Sequence, residues 1–503
     1  MIISEQISQQ FSYLPDYLGG HLLLTISALL IGISISFPLA LSILQSKKLQ
    51  WVTLAFASVM QTIPGIALLA LMVPLLSMIG FVPALIALVL YSMLPILRNT
   101  ITGIANVDPA LKEAALGIGM SYKQRLFKVE LPLALPVIVA GIRTSAVWVV
   151  GTATLSTPVG ATSLGNYIFS GLHTQNYTAV MFGCVAAALL AISLDQLIKI
   201  IETAIVNKSK PLLLTSLTAI IVIFALGLAP IISKSFANEK PKVIIGSKLF
   251  TEQYILGEVL AGYFNDAGYD AELKPGMGST ILFEALKENQ IHCYIDYSGT
   301  VWTNYMKKKT SGTRQVVLEK MREWLKNEHG ILALGSLGFE NKYALAMKKE
   351  NAKRLKIESI SDLSGQSAKM VLGSDYDFIN RPEWEDIKRE YNLKFQSQRT
   401  FDPALMYSAV NENKVDVIPA YSTDGRIIDY ELILLDDPKN IFPPYDAVIL
   451  ISPSASDNRE LVELLRNLDG KISDKIMREA NNSVDLKGVS VSRAANILMK
   501  KIR

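Results

Sequence analysis

Residues 108–117 read Asp108-Pro109-Ala110-Leu111-Lys112-Glu113-Ala114-Ala115-Leu116-Gly117, and the stretch continues to Leu131-Pro132. Small residues around Glu113, followed by Gly117, spell a short helix, a tight turn and a second helix. Small side chains let another protein's surface come close, while Glu113 and its basic neighbours fix the position of that surface. Alone, such a hairpin suits many settings, and its flanks decide the fold. Apolar runs lie on either side, at about 81–97 and 133–155, and four more occur at about 21–46, 52–79, 177–200 and 212–232. A hydrocarbon core of about 30 Å needs roughly 20 apolar residues in a helix, so these six runs are candidate crossings. Pro95 falls inside the third and shortest of them.

Orientation follows from the basic residues, which gather on the cytoplasmic side of a membrane protein. Lys47 and Lys48 follow the first run, and Arg98, Lys112, Lys123, Arg125 and Lys128 fill the segment between the third and fourth. Lys199, Lys208 and Lys210 follow the fifth, whereas the N-terminal segment and the 156–176 loop contain no Lys or Arg. One threading satisfies all of this. Residues 1–20 form an extracytoplasmic tail, and 21–205 make a five-crossing core with a cytoplasmic loop at 98–130. Residues 206–239 supply a sixth helix and linker, and 240–503 lie outside the cytoplasm. The sixth run also has the features of a secretory signal, with Lys208 and Lys210 ahead of it and small residues near Ser235 and Ala237. Its length favours an uncleaved tether. Arg143 falls within the fourth run, and intramembrane charge is a functional-site hypothesis by default; the plainer alternative is a side chain near the cytoplasmic end that reaches a carbonyl or a neighbouring helix.

Composition agrees with a chain of two halves. The mean hydropathy is +0.31 over 503 residues, yet before residue 233 there are only eleven basic and seven acidic side chains. The remainder holds 38 of each, so the whole net charge of +4 belongs to the first half. That balance points to loops at a membrane surface and gives no reason to expect nucleic acid. The two cysteines, Cys184 and Cys293, form no disulfide framework and no metal-ligand spacing, so neither a metal nor another cofactor is expected.

The hairpin resembles the coupling loop of ABC importer permeases. Glu113, Ala114, Ala115 and Gly117 match its Glu-Ala-Ala and Gly positions, and Leu131-Pro132 its later Leu-Pro. The resemblance extends over the five-crossing core and implies that this loop docks into a separate ATPase subunit. It also implies a homodimer, since two permease copies form one pathway across the bilayer. The chain has no Gly-x-x-x-x-Gly-Lys-Ser/Thr loop, and Gly470-Lys471 lacks both the upstream Gly and the hydroxyl residue, so ATP hydrolysis falls to the partner and no catalytic residue is expected here.

From Lys242 onward short apolar runs alternate with amphipathic helices. Val243–Ile245, Ala271–Leu273 and Cys293–Asp296 read as strands, with a helix from an N-cap at Thr251 and another through Ile281–Leu286. This alternation predicts an α/β fold with mostly parallel sheets. About 260 residues exceed one compact core, which suggests two lobes. Tyr343–Met347 and Ala447–Ile451 are the candidate crossing strands, giving lobe I about 240–342 and 446–503 and lobe II about 343–445. The expected fold is therefore an α-helical polytopic membrane domain followed by a two-lobed, hinged clamshell.

Five stretches of this half resemble the binding components for glycine betaine, carnitine and choline and their ergothioneine-binding relatives. They are Gly246-Ser247-Lys248 with Thr251-Glu252-Gln253; Asp296 to Thr300; Gly338 to Leu345; Tyr421 to Arg426; and Phe442 to Asp446. The resemblance implies an aromatic cage of Tyr297, Tyr343, Tyr421 and Tyr445 around a quaternary ammonium group. It places Gln253 and Thr300 at the ligand's carboxylate pole; Thr at 300, where an acid would repel a carboxylate and favour choline, tilts the reading toward zwitterionic betaines. Ser247, Lys248, Arg381 and Asp424 are further candidates for the cleft, though paired structural charges are the alternative for the last two. Osmoprotectants and ergothioneine both remain open as ligands. Two rival readings also stand: an amino-acid importer using Arg381 and Asp424, and a membrane-anchored sensor. The expected location is the bacterial inner membrane.

Overall fold

The computed structural model describes residues 2–237, 240–308, 313–401 and 403–503, and the chain folds as two compact units. In the membrane unit the first helix, Ile2–Ile43, starts well ahead of residue 21, so the expected N-terminal tail belongs to that helix. The second apolar run is not one straight crossing. It breaks into Lys47–Thr62 and Gly65–Leu76, bent by 101°. Pro64 causes the break: its ring bars the preceding residue from helical geometry, and Ile63 is extended at φ −67°, ψ 128°. Pro95, by contrast, stays inside the continuous helix Phe81–Ala105. Having no N–H, it cannot serve the carbonyl of Tyr91 one turn earlier, and Gln61 Nε2 donates to that carbonyl instead, at 3.3 Å.

The predicted hairpin follows. Asp108 caps the helix Pro109–Gly117 by accepting from the Ala110 N–H at 2.9 Å, with Pro109 at the first helical position. Gly119 turns the chain at φ +81°, and Ser121 and Gln124 form a capping box that starts Tyr122–Arg125. Leu131–Ala153, Tyr177–Val206 and Lys210–Ala237 take up the remaining apolar runs. Gly141 lets Leu131–Ala153 close on Phe81–Ala105, because a Cβ there would meet the Pro95 carbonyl oxygen at 2.8 Å. Among the described residues four helices are long and apolar enough to cross a membrane, or five if the bent pair is one span, with Lys210–Ala225 a shorter apolar helix. Arg143 reaches a neighbouring helix, pairing with Asp195 at 2.7 Å and Glu202 at 3.4 Å.

Among the described residues the second unit holds two five-stranded sheets. Its strands are β1 (Lys242–Lys248), β2 (Asp270–Met277), β3 (Cys293–Tyr297), β4 (Leu332–Glu340), β5 (Tyr343–Lys348), β6 (Val371–Ser374), β7 (Ser397–Thr400), β8 (Val417–Tyr421), β9 (Leu432–Leu434) and β10 (Asp446–Ile451). One sheet has the order β2-β1-β3-β10-β4, the other β7-β6-β8-β5-β9. The chain leaves the first sheet after β4, builds the whole second sheet, and returns in β10. The pairing is more mixed than the expected parallel sheets. β1 with β3, and β6 with β7 and β8, are parallel, while β10 and β5 run antiparallel to their neighbours. Parallel neighbours need a crossover helix on the same sheet, and these two strands arrive from the opposite lobe without one. β10 is wholly buried, in keeping with its apolar Ala447–Ile451 run. Its first residue, Asp446, is 0% exposed and is held bidentately by Arg314, Nε lying 2.9 and 3.0 Å from the two oxygens. Thr251 is not the expected N-cap: Phe250 holds that position, and the Thr251 hydroxyl donates to Asp485 Oδ1 at 2.5 Å.

Candidate functional site: an aromatic cluster between two lobes

The site begins with strand register. β5 pairs antiparallel with β8 so that Tyr343 stands opposite Tyr421, which puts both side chains on one face of the sheet. Their ring centroids are 4.7 Å apart and their hydroxyl oxygens 2.7 Å. Tyr445, one residue before β10, sets its ring edge-on to Tyr343 at 5.8 Å and 77°. Tyr297 ends β3, opposite Ala447 of β10. It reaches the others through Phe250, whose ring stacks on Tyr297 at 6.1 Å and on Tyr421 at 6.4 Å, with planes only 2° apart in the latter pair. The structure thus brings the four predicted tyrosines into one aromatic cluster and adds Phe250 as a fifth ring. Tyr343 and Tyr421 belong to the second sheet, while Tyr297 extends from the first, so the cluster spans both lobes.

Around these rings lies an unusual density of charge. The Arg381 guanidinium sits 4.7 Å from the Tyr343 centroid and donates to the hydroxyls of Tyr343 and Tyr445 at 3.4 and 3.3 Å. Glu383, 3.7 Å from Arg381 Nε, accepts from the Tyr445 hydroxyl at 3.3 Å. Lys248 is almost fully buried, ion-paired with Asp296, and lies 5.4 Å from the Tyr297 centroid. Asp296 also accepts from the Tyr294 hydroxyl at 2.7 Å. Burial of two such charges is tolerable because each is paired and hydrogen-bonded.

Of the predicted polar residues, Gln253 is 1% exposed, donates from Nε2 to the Tyr297 hydroxyl at 3.1 Å and accepts from the Lys248 N–H at 3.4 Å. Thr300 is buried in the short helical turn Ser298–Thr300 that follows Tyr297. Ser247 is buried, with its hydroxyl making no hydrogen bond among the described residues. Asp424 follows the second of its two sequence readings, a paired structural charge. It is committed to Arg426, with Oδ1 2.9 Å from Nε and Oδ2 2.6 Å from Nη2, so it forms no pair with Arg381. An acid two residues before an arginine, at the start of a short helix, has a partner within reach of its own turn.

Sequence reasoning missed Phe250, Glu383, and the role of Glu252. Glu252 is 2% exposed and accepts from Tyr297 Oη at 2.5 Å, Asn341 Nδ2 at 2.9 Å and Asn481 Nδ2 at 2.9 Å. Burial pushes its carboxyl up, and these donors together with Thr423 pull it back toward the ionised form. Glu252 lies within the Thr251-Glu252-Gln253 stretch and Phe250 directly before it, which was the only signal for them. Nothing local marks Glu383.

In the membrane unit, Glu113, Ala114 and Gly117 are exposed, while Ala115 turns inward at 4% exposure. Leu116 and Ile118 are 53% and 74% exposed, and a Cβ on Gly117 would meet nothing within 4 Å. Lys112 folds back to cap the preceding helix, donating to the Ile104 and Ala105 carbonyls at 3.0 Å each.

Comparison with known proteins gives two family matches in tandem. Residues 28–210 match the inner membrane component of binding-protein-dependent transport systems, and residues 241–501 match the substrate binding domain of the ABC-type glycine betaine transport system. An ergothioneine transport permease/ergothioneine binding protein of Helicobacter pylori is 32% identical over 439 residues, covering 84% of this chain and 79% of that protein. The glycine betaine/carnitine/choline transport system permease protein of Bacillus subtilis is 41% identical over 190 residues, 38% of this chain and 87% of that one. A crystal structure described as a glycine betaine/carnitine/choline ABC transporter is 31% identical, covers 52% of this chain and 98% of its own, and has a TM-score of 0.48. The chain therefore belongs to the ABC importers that carry a multi-pass permease and a glycine-betaine-class substrate-binding domain in one polypeptide.

Proposed function

We propose that this chain captures a trimethylammonium zwitterion outside the cytoplasm and passes it through a permease built from two of its copies, driven by a separate ATPase. The observation that carries the reading is the aromatic cluster shared between the lobes, with Tyr343 and Tyr421 in lobe II, Tyr297 in lobe I, and Tyr445 at the return crossing. A quaternary ammonium group has charge but no N–H, so a carboxylate would be desolvated beside it without gaining a hydrogen bond. Aromatic faces supply a negative quadrupole and apolar contact together, about 0.5–2 kcal/mol per ring when desolvated. Several rings supply several kcal/mol before the costs of ordering and closure are subtracted.

The ligand's anion is served at the same site. Gln253 has a second amide N–H to offer, Thr300 follows Tyr297 by one turn, and Arg381 lies against Tyr343. A guanidinium beside the cage repels a bare cation and rewards one that carries its own carboxylate. Glycine betaine, carnitine and ergothioneine all meet that description, whereas choline does not. The amino-acid alternative loses its Arg–Asp pair, because Asp424 is held by Arg426.

The exposed Leu116 and Ile118, beside a Gly117 whose missing side chain answers no need of this chain, support docking of an ATPase at the hairpin. The distribution of Lys and Arg supports a cytoplasmic hairpin and an extracytoplasmic binding domain. The test is titration calorimetry of the purified full-length chain in lipid nanodiscs with glycine betaine, carnitine, ergothioneine, choline and an ordinary amino acid. Zwitterionic trimethylammonium ligands should bind well above choline. Binding of the amino acid alone would sink the reading.

A further inference from the structure

Among the described residues Glu252 has no basic partner, yet it sits where three parts of the binding domain meet. Its Oε1 accepts from Tyr297, a ring of lobe I, and from Asn341, which lies between β4 and β5 at the outgoing crossing. Its Oε2 accepts from Asn481 of the helix Asp474–Asp485. The same Asn481 amide donates to the Thr423 carbonyl at 2.8 Å, two residues beyond Tyr421. Neighbouring residues of that helix grip the same loop. Arg478 donates to the Ser422 carbonyl at 2.7 and 3.1 Å and Asn482 to the Gly425 carbonyl at 3.1 Å. The approach is close enough that a Cβ on Gly425 would meet the Asn482 backbone at 2.5 Å. One carboxylate therefore stands between a cage ring of lobe I, the crossing, and the loop that carries a cage ring of lobe II.

We propose that Glu252 is the positioning residue of the cage, fixing the Tyr297 ring through its hydroxyl and tying that ring to the crossing and to the Tyr421 loop, so that cation capture and lobe closure are linked. A carboxylate accepts from Tyr297, Asn341 and Asn481 at once, whereas glutamine has one acceptor oxygen and keeps the set only if an asparagine turns its amide oxygen inward. A misplaced ring loses cation affinity steeply, because the attraction depends on the face being presented. This inference rests on the cage reading above.

The test is a double-mutant cycle on the full-length chain in nanodiscs, using Glu252→Gln, Tyr297→Phe and the combination, with Kd read by calorimetry for the tightest zwitterion of the panel. Tyr297→Phe keeps the ring but removes the hydroxyl's bonds to both Glu252 and Gln253, so the coupling in the cycle, and not the single change, reports the Glu252 link. Each single change is expected to weaken binding about tenfold, and the double variant no more than the worse single, since both break one connection. Ligand-free thermal unfolding, read in parallel, separates lost positioning from lost stability. Wild-type affinity in Tyr297→Phe, or losses that multiply in the double variant, overturns the inference even if Glu252→Gln is unstable. Absence of trimethylammonium binding by the wild type would sink the cage reading itself.

Discussion

Tyr343 and Tyr421 stand directly opposite each other on β5 and β8, with their hydroxyl oxygens 2.7 Å apart and ring centroids 4.7 Å apart. Antiparallel register alone produces this pair, and it gives lobe II a preformed two-ring wall. Removing either ring should therefore cost more than removing the bond between them. Tyr343→Ala and Tyr421→Ala are each expected to weaken ligand binding about 10- to 100-fold, or roughly 1.4–2.7 kcal/mol. Tyr343→Phe should lose only a few-fold. Calorimetric Kd values check this, and an alanine variant at wild-type affinity would remove that ring from the cage.

Arg381 should govern which trimethylammonium compound is accepted. Its guanidinium lies 4.7 Å from the Tyr343 centroid, and among the described residues its acidic partner is Glu383, 3.7 Å away. Arg381→Met removes the charge and keeps much of the apolar stem. Affinity for glycine betaine or ergothioneine should fall at least tenfold while that for choline rises. The ratio of the two Kd values is the measurement, and an unchanged ratio would place Arg381 in a purely structural role.

Glu113 should matter to transport and not to binding. It is exposed on the hairpin beside the exposed Leu116 and Ile118. Reversing its charge in Glu113→Lys is expected to lower ATP-driven uptake into proteoliposomes more than tenfold and to reduce co-purification of the ATPase. Ligand Kd should not move. Wild-type uptake by this variant counts against the docking assignment.

Asp485 gives the binding domain a pH dependence of definite sign. Burial, with Asp424 and Glu252 nearby, pushes its carboxyl up to about 7 against the pull of Arg426 and the Thr251 hydroxyl. Unfolded, it titrates near 3.9. The folded state therefore binds the extra proton between these values, so stability from this group is fully present below about pH 4 and is lost as pH rises to about 7 and beyond. Comparing Tm of the wild type and Asp485→Asn between pH 5 and 8 isolates the effect. The wild type should fall relative to the variant as pH rises, and parallel curves would show that Asp485 ionises normally.

Local pattern determined a good deal of this protein. Apolar runs of membrane-spanning length, basic residues on one side of them, and a helix–turn–helix capped by Asp108 and Ser121 are all properties of neighbours in sequence. Periodicity likewise located β1, β2, β3, β5 and β10, because a buried strand must be apolar wherever it goes. The same local chemistry hid in Pro64 and Pro95: identical residues in apolar runs, one breaking its helix and the other retained. Around Pro95 the Gln61 amide reaches the Tyr91 carbonyl that the proline leaves unserved, and only the packed helices bring that amide there.

Tertiary structure decided the chemistry of the site. Sequence marked the four tyrosines, but that Phe250 would stack between Tyr297 and Tyr421 depends on two lobes meeting. Asp424 offered itself to the cleft on paper and was claimed by Arg426. Arg381 came to lie on Tyr343, and Glu252 found donors at positions 297, 341 and 481, as much as 229 residues away. Spacing along a chain records which residues share a helix face or a strand edge. Partners for a buried charge are chosen by which elements pack together, and that choice is written only in the folded molecule.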